Sequence, residues 1–182
     1  MSGWTAAIVT VLVALNPLGV ARAVAWFDRN DADSRRFVVG TLAAMGAALI
    51  GLGLLAAPVL SLLDVSTQTF RLAAAVVIGI TGAKMLLAPT GPITEIEDRR
   101  DGVLTLATLT LTPAAVFAAM AANSDGGTAA GLVAVAIAVA ATLAAVAARP
   151  IPEPMLGTLV RFTGAVAILV AVATGLDSAR SV

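Results

Sequence analysis

The 182-residue sequence contains no cysteine, no histidine and no tyrosine, and only 12% of its residues are charged. Without cysteine or histidine the chain cannot form disulfides, bind zinc through its usual ligands or use an imidazole as acid or base. Soluble domains carry about 25% charged residues, so this chain lacks the polar surface to cover a globule in water. Its 11 basic and 11 acidic residues balance, and nothing favours a nucleic-acid partner. We therefore expect a lipid bilayer to surround it.

Six apolar stretches approach or exceed the roughly 20 residues that a helix needs to cross a bilayer. They cover residues 3–27, 37–63, 69–87, 103–122, 128–148 and 156–176. The fifth contains almost only Ala, Val, Leu and Ile, and we expect it to be structural. The sequence thus predicts an all-α protein with six transmembrane helices in a single integral membrane domain, residues 1–182.

Basic residues lie mainly in the loops after the first, third and fifth stretches, where they are Arg29, Arg35, Arg36, Arg99, Arg100 and Arg149. Short loops rich in Lys and Arg stay in the cytoplasm. This bias predicts a multi-pass protein of the cell membrane, with the linker 89–102 in the cytoplasm and both termini outside.

The first apolar stretch is interrupted by Asn16-Pro17-Leu18-Gly19. Proline removes a backbone N–H and its ring clashes with the carbonyl one turn earlier. Asn16 adds a hydrogen-bonding amide, and Gly19 adds backbone freedom. In lipid the freed backbone groups need partners within the protein or in a water-lined cavity. The break is either a polar site or a simple kink that neighbouring helices tolerate.

A second break follows the same pattern in the fourth stretch, where Pro113 comes directly after Thr112. The third and sixth stretches also begin alike, with Arg71 and Arg161 near their starts. We interpret these matches as two three-helix repeats, at about 1–88 and 103–182, that enter the membrane from opposite sides. Inverted repeats with paired broken helices are typical of secondary transporters. The alternative is that apolar helices resemble each other by composition.

Asn16-Pro17-Leu18-Gly19 resembles the Asn/Asp-Pro-x-Gly signature of the MarC family, a branch of the LysE superfamily of small exporters. Phe70-Arg71-Leu72-Ala73 and the later Lys84 are similar to that family's third helix, and the stretch 159–177 resembles its last helix. Thr112-Pro113-Ala114 stands where the family has Gly-Pro-Gly. The resemblance implies a multi-pass inner-membrane protein, with neutral amino-acid transport attached to some members.

No Asp or Glu lies inside any of the six stretches, although a membrane carboxylate is the usual coupling group for protons and cations. Neutral groups must then form any binding site: backbone groups at the two breaks, an amide and hydroxyls. We predict that the substrate-binding residues are Asn16, Pro17, Gly19, Thr81, Gly82, Thr112 and Pro113. Catalytic constellations, phosphate loops and metal-ligand spacings are missing from the sequence, so we expect no enzyme activity, cofactor or metal.

Two functions fit this pattern. The first is a membrane transporter, operating as an exporter, of a small neutral or zwitterionic solute such as an amino acid. The second is a non-transporting scaffold or accessory subunit of a larger membrane complex. A homo-oligomer is compatible with either function, because a chain of six helices has few helices with which to enclose a transport pathway.

Overall fold

The computed structural model describes residues 3–24, 32–87, 107–147 and 152–180. These residues form no β-strand, and their seven α-helices are α1 Gly3–Leu15, α2 Pro17–Val24, α3 Ala32–Leu54, α4 Ala56–Leu62, α5 Thr67–Leu87, α6 Pro113–Ala147 and α7 Glu153–Arg180. A helical turn at residues 107–110 precedes α6. The predicted all-α class is confirmed. The predicted cytoplasmic linker 89–102 lies outside the described residues.

Five helical segments of the described chain are long and apolar enough to cross a bilayer: Trp4–Arg22, Arg36–Leu54, Thr67–Leu87, Ala129–Ala147 and Pro154–Arg180. The first of them runs through α1 and α2. Inside the predicted fourth span, the described apolar helix Pro113–Asn123 is shorter than these five. The chain is therefore an all-α, multi-pass membrane protein, and its sixth crossing stays a prediction.

Helix α6 is longer than one crossing requires, and it bends back sharply on itself. As a straight rod its 35 residues would measure about 52 Å, and residues eight apart would be separated by about 12 Å. A methyl group placed on Gly131 would instead lie 2.9 Å from the Cα atom of Asn123. The bend falls at Asn123-Ser124-Asp125-Gly126-Gly127, whose small and polar residues are typical of turns. The two arms of α6 therefore correspond to the predicted fourth and fifth spans.

A tight turn joins α4 to α5. Asp64 adopts a positive φ of 52°, and the N–H of Val65 donates to the carbonyl of Leu60 at 3.1 Å, which is the usual closure of a helix C-terminus. Ser66 then begins α5, because its hydroxyl accepts the N–H of Thr69 at 3.2 Å, a standard N-terminal cap. The chain therefore passes from the end of α4 to the start of α5 through the four residues 63–66.

Helices α5 and α7 form the most extensive helix pair, and they run antiparallel. Arg71, near the start of α5, lies 3.4 Å from the carboxylate of Asp177 near the end of α7. Further along, Gly82 and Gly164 meet backbone to backbone, since a methyl group on either would lie 2.7 Å from the carbonyl oxygen of the other. Small residues at a crossing allow such close approach of membrane helices.

The remaining contacts join the two halves of the chain, because α1, α2 and α3 all pack chiefly against α6. Their shared core is built from small and branched apolar residues, including Val11, Leu15, Ala118 and Val135, all buried. The third span, which is α5, therefore packs against the sixth span, which is α7. The first span, which comprises α1 and α2, packs against α6. This pairing is compatible with the predicted inverted repeat, which stays a prediction.

The outward faces of α5 and α7 carry large apolar side chains, among them Leu72, Val76, Ile80, Phe162, Leu169, Val172 and Leu176. A water-soluble protein rarely exposes contiguous apolar surface on this scale. In a bilayer the same side chains are solvated by acyl chains, so the exposed pattern agrees with membrane embedding.

The ion pair between Arg71 and Asp177 predicts only a small effect on stability. The Asp177 side chain is 74% exposed, and ion pairs of this kind contribute about 0–1 kcal/mol. We expect Asp177→Asn to shift the midpoint of thermal unfolding in detergent by no more than a few degrees. A loss of folded protein would show instead that this pair holds the α5–α7 contact together.

Candidate functional site

The first break is a change from one helix to another at Asn16. Its φ of 48° lies in the left-handed region, which asparagine tolerates better than most residues. The side-chain oxygen of Asn16 accepts the N–H of Gly19 at 3.1 Å, and its backbone carbonyl accepts the N–H of Val20 at 3.1 Å. Asn16 is therefore the N-terminal cap of α2, and the break is a helix start rather than a smooth kink.

Pro17 occupies the first position of α2, where its missing N–H costs nothing and its fixed φ suits a helix. Asparagine followed by proline is thus a favourable way to begin a helix. The sequence predicted an interruption here, and the structure shows how it is stabilised. The side-chain oxygen of Asn16 accepts the N–H of Gly19.

The second break repeats this arrangement. The N–H of Ala115 donates to the hydroxyl oxygen of Thr112 at 3.1 Å, and the N–H of Val116 donates to the carbonyl of Thr112 at 3.0 Å. Pro113 is the first residue of α6. Thr112 therefore caps α6 as Asn16 caps α2, with proline in the next position each time.

Each break presents a helix N-terminus within an apolar segment. A helix N-terminus carries partial positive charge and unpaired N–H groups that bind anions. In the first turn of each helix, proline has no N–H, and the N–H two residues later is bonded to the capping side chain. The N–H groups between them, those of Leu18 and Ala114, are therefore the donors left for a ligand.

A cleft lies beside the two breaks. It is lined by Leu15 from the end of α1, Met45 and Gly46 from α3, Val139 and Thr142 from α6, and Thr110 just before the second break. Its volume, measured as the room open to the centre of a water molecule, is about 10 Å³, so it holds about one water molecule.

The cleft lies near the centres of three of the apolar segments. The apolar segments Trp4–Arg22, Arg36–Leu54 and Ala129–Ala147 have their centres at residues 13, 45 and 138. One cleft-lining residue from each segment lies within two positions of its centre. Transporters built from inverted repeats bind their solutes at this depth, between discontinuous helices.

None of the seven predicted site residues lines this cleft, and two of them lie on a different helix from the two breaks. Thr81 is half-buried on α5, and its hydroxyl donates to the carbonyl of Val77 at 2.9 Å, the common back-bond of membrane threonines. Gly82 is buried in the crossing of α5 with α7, against Gly164. The structure thus groups Asn16, Pro17 and Gly19 at one break and Thr112 and Pro113 at the other, while Thr81 and Gly82 lie on α5.

Sequence reasoning did not select the wall of the cleft. The fifth span was expected to be structural, but Val139 and Thr142 of that span line the cleft. Thr142 could have indicated a polar position in this span, because it is the only hydroxyl residue among residues 129–148. Nothing in the sequence distinguishes Gly46 from the other glycines of the second apolar stretch. Its position opposite Val139 depends on how α3 packs against α6.

Charge plays little part in the described site. Arg22 lies in the last turn of α2, beyond the break. Within the four described ranges, no three acidic side chains form a group that could hold a metal ion. The polar groups at the breaks are backbone amides, one side-chain amide and hydroxyls, which suit a neutral or zwitterionic molecule better than an ion of net charge.

These features define a class: an all-α, multi-pass membrane protein with two capped helix starts and a small cleft near the centres of its apolar segments. Comparison of the chain with protein-family models, curated proteins and solved structures finds no significant match. The resemblance to the MarC family accordingly stays a prediction.

The cap at the second break predicts a measurable loss of stability in Thr112→Val. Valine keeps the shape of threonine but cannot accept the N–H of Ala115, and the loss of a cap costs about 0.5–2 kcal/mol. We expect a lower midpoint of thermal unfolding for Thr112→Val, and a midpoint near that of the parent for Thr112→Ser, which retains the hydroxyl. Equal midpoints for all three proteins would show that the cap does not stabilise the break.

Proposed function

We propose that this protein transports a small neutral or zwitterionic solute, such as an amino acid, across the cell membrane, and that it works as an exporter with both termini outside. The observation that carries the proposal is the pair of matching helix starts, Asn16-Pro17 and Thr112-Pro113. The residues that come shortly before them in the chain, Leu15 and Thr110, line one cleft. A structural kink needs no cap and no matching partner.

The backbone at the breaks supplies groups of both signs for a zwitterion. The N-termini of α2 and α6 favour a carboxylate through their N–H groups and dipoles. The last turn of α1 contains carbonyl groups that lack N–H partners within that helix, and these favour an ammonium group. Binding of this kind requires no ionised side chain inside the membrane, which is costly.

Transport by this site requires motion. An amino acid is much larger than the single water molecule that the cleft admits, so the described conformation is closed around the site. The walls that must separate belong to α3 and α6, since Gly46 and Val139 face each other there. Alternating access in related architectures is a rocking of one group of helices against the other.

Membership in the MarC family is part of the same proposal and rests on the sequence motifs around Asn16-Pro17-Leu18-Gly19, Arg71 and residues 159–177. It agrees with a multi-pass fold and with a neutral solute. It does not identify which solute is carried.

Flux through reconstituted vesicles tests the proposal. Purified protein in proteoliposomes loaded with a neutral amino acid should exchange it for the labelled external amino acid faster than protein-free vesicles do, with saturation at high concentration. A panel of glycine, alanine, serine, valine and leucine covers the neutral class. Rates equal to those of empty vesicles for the whole panel would overturn the transporter proposal.

The alternative is a scaffold that packs against other membrane helices. The outward face of α3 favours it, because Gly40 and Gly51 have no atom within 4 Å of an added methyl group, and small residues on a membrane helix often form helix–helix contacts. A scaffold would show no flux in vesicles and would be recovered from mild detergent as a larger assembly. A homo-oligomer that carries solute would satisfy the transport proposal instead.

A further inference from the structure

The two ends of the α5–α7 pair differ in how their charged side chains are partnered. At one end the guanidinium of Arg71 lies 3.4 Å from the carboxylate of Asp177. The other end carries Lys84 in the last turn of α5 and Arg161 in the first third of α7. Among the residues that the structure describes, neither of these two cations has a carboxylate partner. One end of the pair is therefore neutralised, and the other keeps two positive charges.

The two cations lie on the same side of the helix crossing. Gly82 meets Gly164 at the crossing. Lys84 comes two residues after Gly82, and Arg161 comes three residues before Gly164 in the antiparallel helix. Both side chains are exposed. Helical side chains lean toward the N-terminus of their helix, which directs Arg161 toward this end of the pair.

Large apolar side chains surround the two cations. Ile80 and Leu87 are 54% and 83% exposed, and both share a face of α5 with Lys84, because residues three and four apart are neighbours on a helix. Phe162, next to Arg161, is 67% exposed. This surface combines an apolar area that suits acyl chains with two positive charges at one end of it. A phospholipid has the same division.

The charge of the lipid follows from these two cations. Both belong to helices that are long and apolar enough to cross a bilayer, and a charged side chain that faces hydrocarbon is unfavourable. Flexible Lys and Arg side chains avoid this cost by extending to the head groups, where they meet phosphate. Arginine can bind a phosphate through two parallel hydrogen bonds, and lysine binds it as a point charge. A choline head group brings its own cation, so a head group of net negative charge fits better.

We propose that the end of the α5–α7 pair with Lys84 and Arg161 binds an anionic phospholipid. Its acyl chains lie along the exposed apolar surface, and its phosphate lies at the two cations. Helix α5 leads at this end into the predicted cytoplasmic linker 89–102, so the lipid belongs to the cytoplasmic leaflet, whose anionic lipids attract basic segments. The inference does not depend on solute transport.

Titration with lipid in a neutral detergent tests the inference. The full-length protein receives phosphatidylglycerol or phosphatidylcholine with the same acyl chains, and the midpoint of thermal unfolding is followed, since a ligand of the folded state raises it. The parent should be half-saturated at a lower concentration of phosphatidylglycerol than of phosphatidylcholine. A basic residue near an anionic lipid contributes about fivefold to affinity. Lys84→Gln and Arg161→Gln should therefore each raise the half-saturating concentration of phosphatidylglycerol about fivefold.

Three controls accompany these variants. Arg180→Gln removes the same charge from the opposite, exposed end of α7 and should match the parent. Lys84→Arg and Arg161→Lys keep the charges and should keep the preference for phosphatidylglycerol, which leaves the inference testable if a glutamine variant fails to fold. Glycerol phosphate has the phosphate without acyl chains and should not raise the midpoint at the same concentrations.

Equal stabilisation of the parent by the two lipids would overturn the inference. The same conclusion would follow if Arg180→Gln weakened phosphatidylglycerol binding as much as Arg161→Gln does, because the attraction would then depend on total charge. Stabilisation by glycerol phosphate as strong as that by the lipid would show a site for free phosphate instead. A preference that is lost in the two glutamine variants at this end and kept in Arg180→Gln supports the lipid site, whatever the result of the exchange assay.

Discussion

Replacement of Asn16 by alanine is expected to abolish solute exchange and leave only the rate of empty vesicles. Alanine cannot accept the N–H of Gly19, and it would have to adopt the φ of 48° that Asn16 holds. The lost cap costs about 0.5–2 kcal/mol, and the left-handed conformation costs roughly 1–2 kcal/mol more. The protein should still fold, with a lower thermal midpoint, since these losses remain below a typical stability of 5–15 kcal/mol.

Asn16→Gly separates the two effects. Glycine adopts positive φ without strain, and glycine in place of a capping asparagine costs only a few tenths of a kcal/mol. Stability should therefore stay near that of the parent while flux falls, because the side-chain amide is missing from the site. Normal flux in Asn16→Gly would show that only the shape of the break matters and that the amide does not contact the solute.

A clear loss of stability is also expected from Gly82→Ala in the crossing of α5 with α7. Its new methyl group would lie 2.7 Å from the carbonyl oxygen of Gly164 and 2.8 Å from the Cβ atom of Ala167. A backbone oxygen cannot rotate away, so the helices must separate. Overpacking of this kind costs about 1–3 kcal/mol, which lowers the midpoint of thermal unfolding by several degrees.

Gly40→Ala is the matched control, because an added methyl group there meets no atom within 4 Å. Alanine is favoured over glycine in helices by about 1 kcal/mol, so this variant should be as stable as the parent or slightly more stable. If Gly82→Ala also keeps the parent's midpoint, the close approach of α5 and α7 is not part of the folded protein. If Gly82→Ala changes KM without changing stability, Gly82 belongs to the binding site, as the sequence predicted.

The breaks could be predicted from sequence because their causes are local. Proline removes a donor wherever it lies in a helix, and a polar residue just before proline is a strong helix start. The residue patterns at Asn16-Pro17 and Thr112-Pro113 therefore indicated both interruptions. Whether each is a kink or a new helix depends on the backbone conformation of the capping residue. The positive φ of Asn16 is not encoded by residue type alone.

The cleft and the helix crossing could not be predicted, because both depend on which helices become neighbours. Gly82 was predicted to lie in the solute site together with Thr81, but its close contact is with Gly164. Thr142 and Val139 lie in a span whose composition indicated only structure. In an apolar chain nearly every helix face can be buried, so hydrophobic periodicity does not reveal which faces meet.

We expect the two capped breaks to act as one site, and a double-mutant cycle on solute exchange measures whether they do. Asn16→Gly, Thr112→Val and the double variant should be compared with the parent in the same vesicles, with folded protein quantified in each. Residues that serve one site show non-additive losses, so the double variant should lose little more than the worse single variant. Losses that multiply, or a parent protein without exchange, would contradict a shared site.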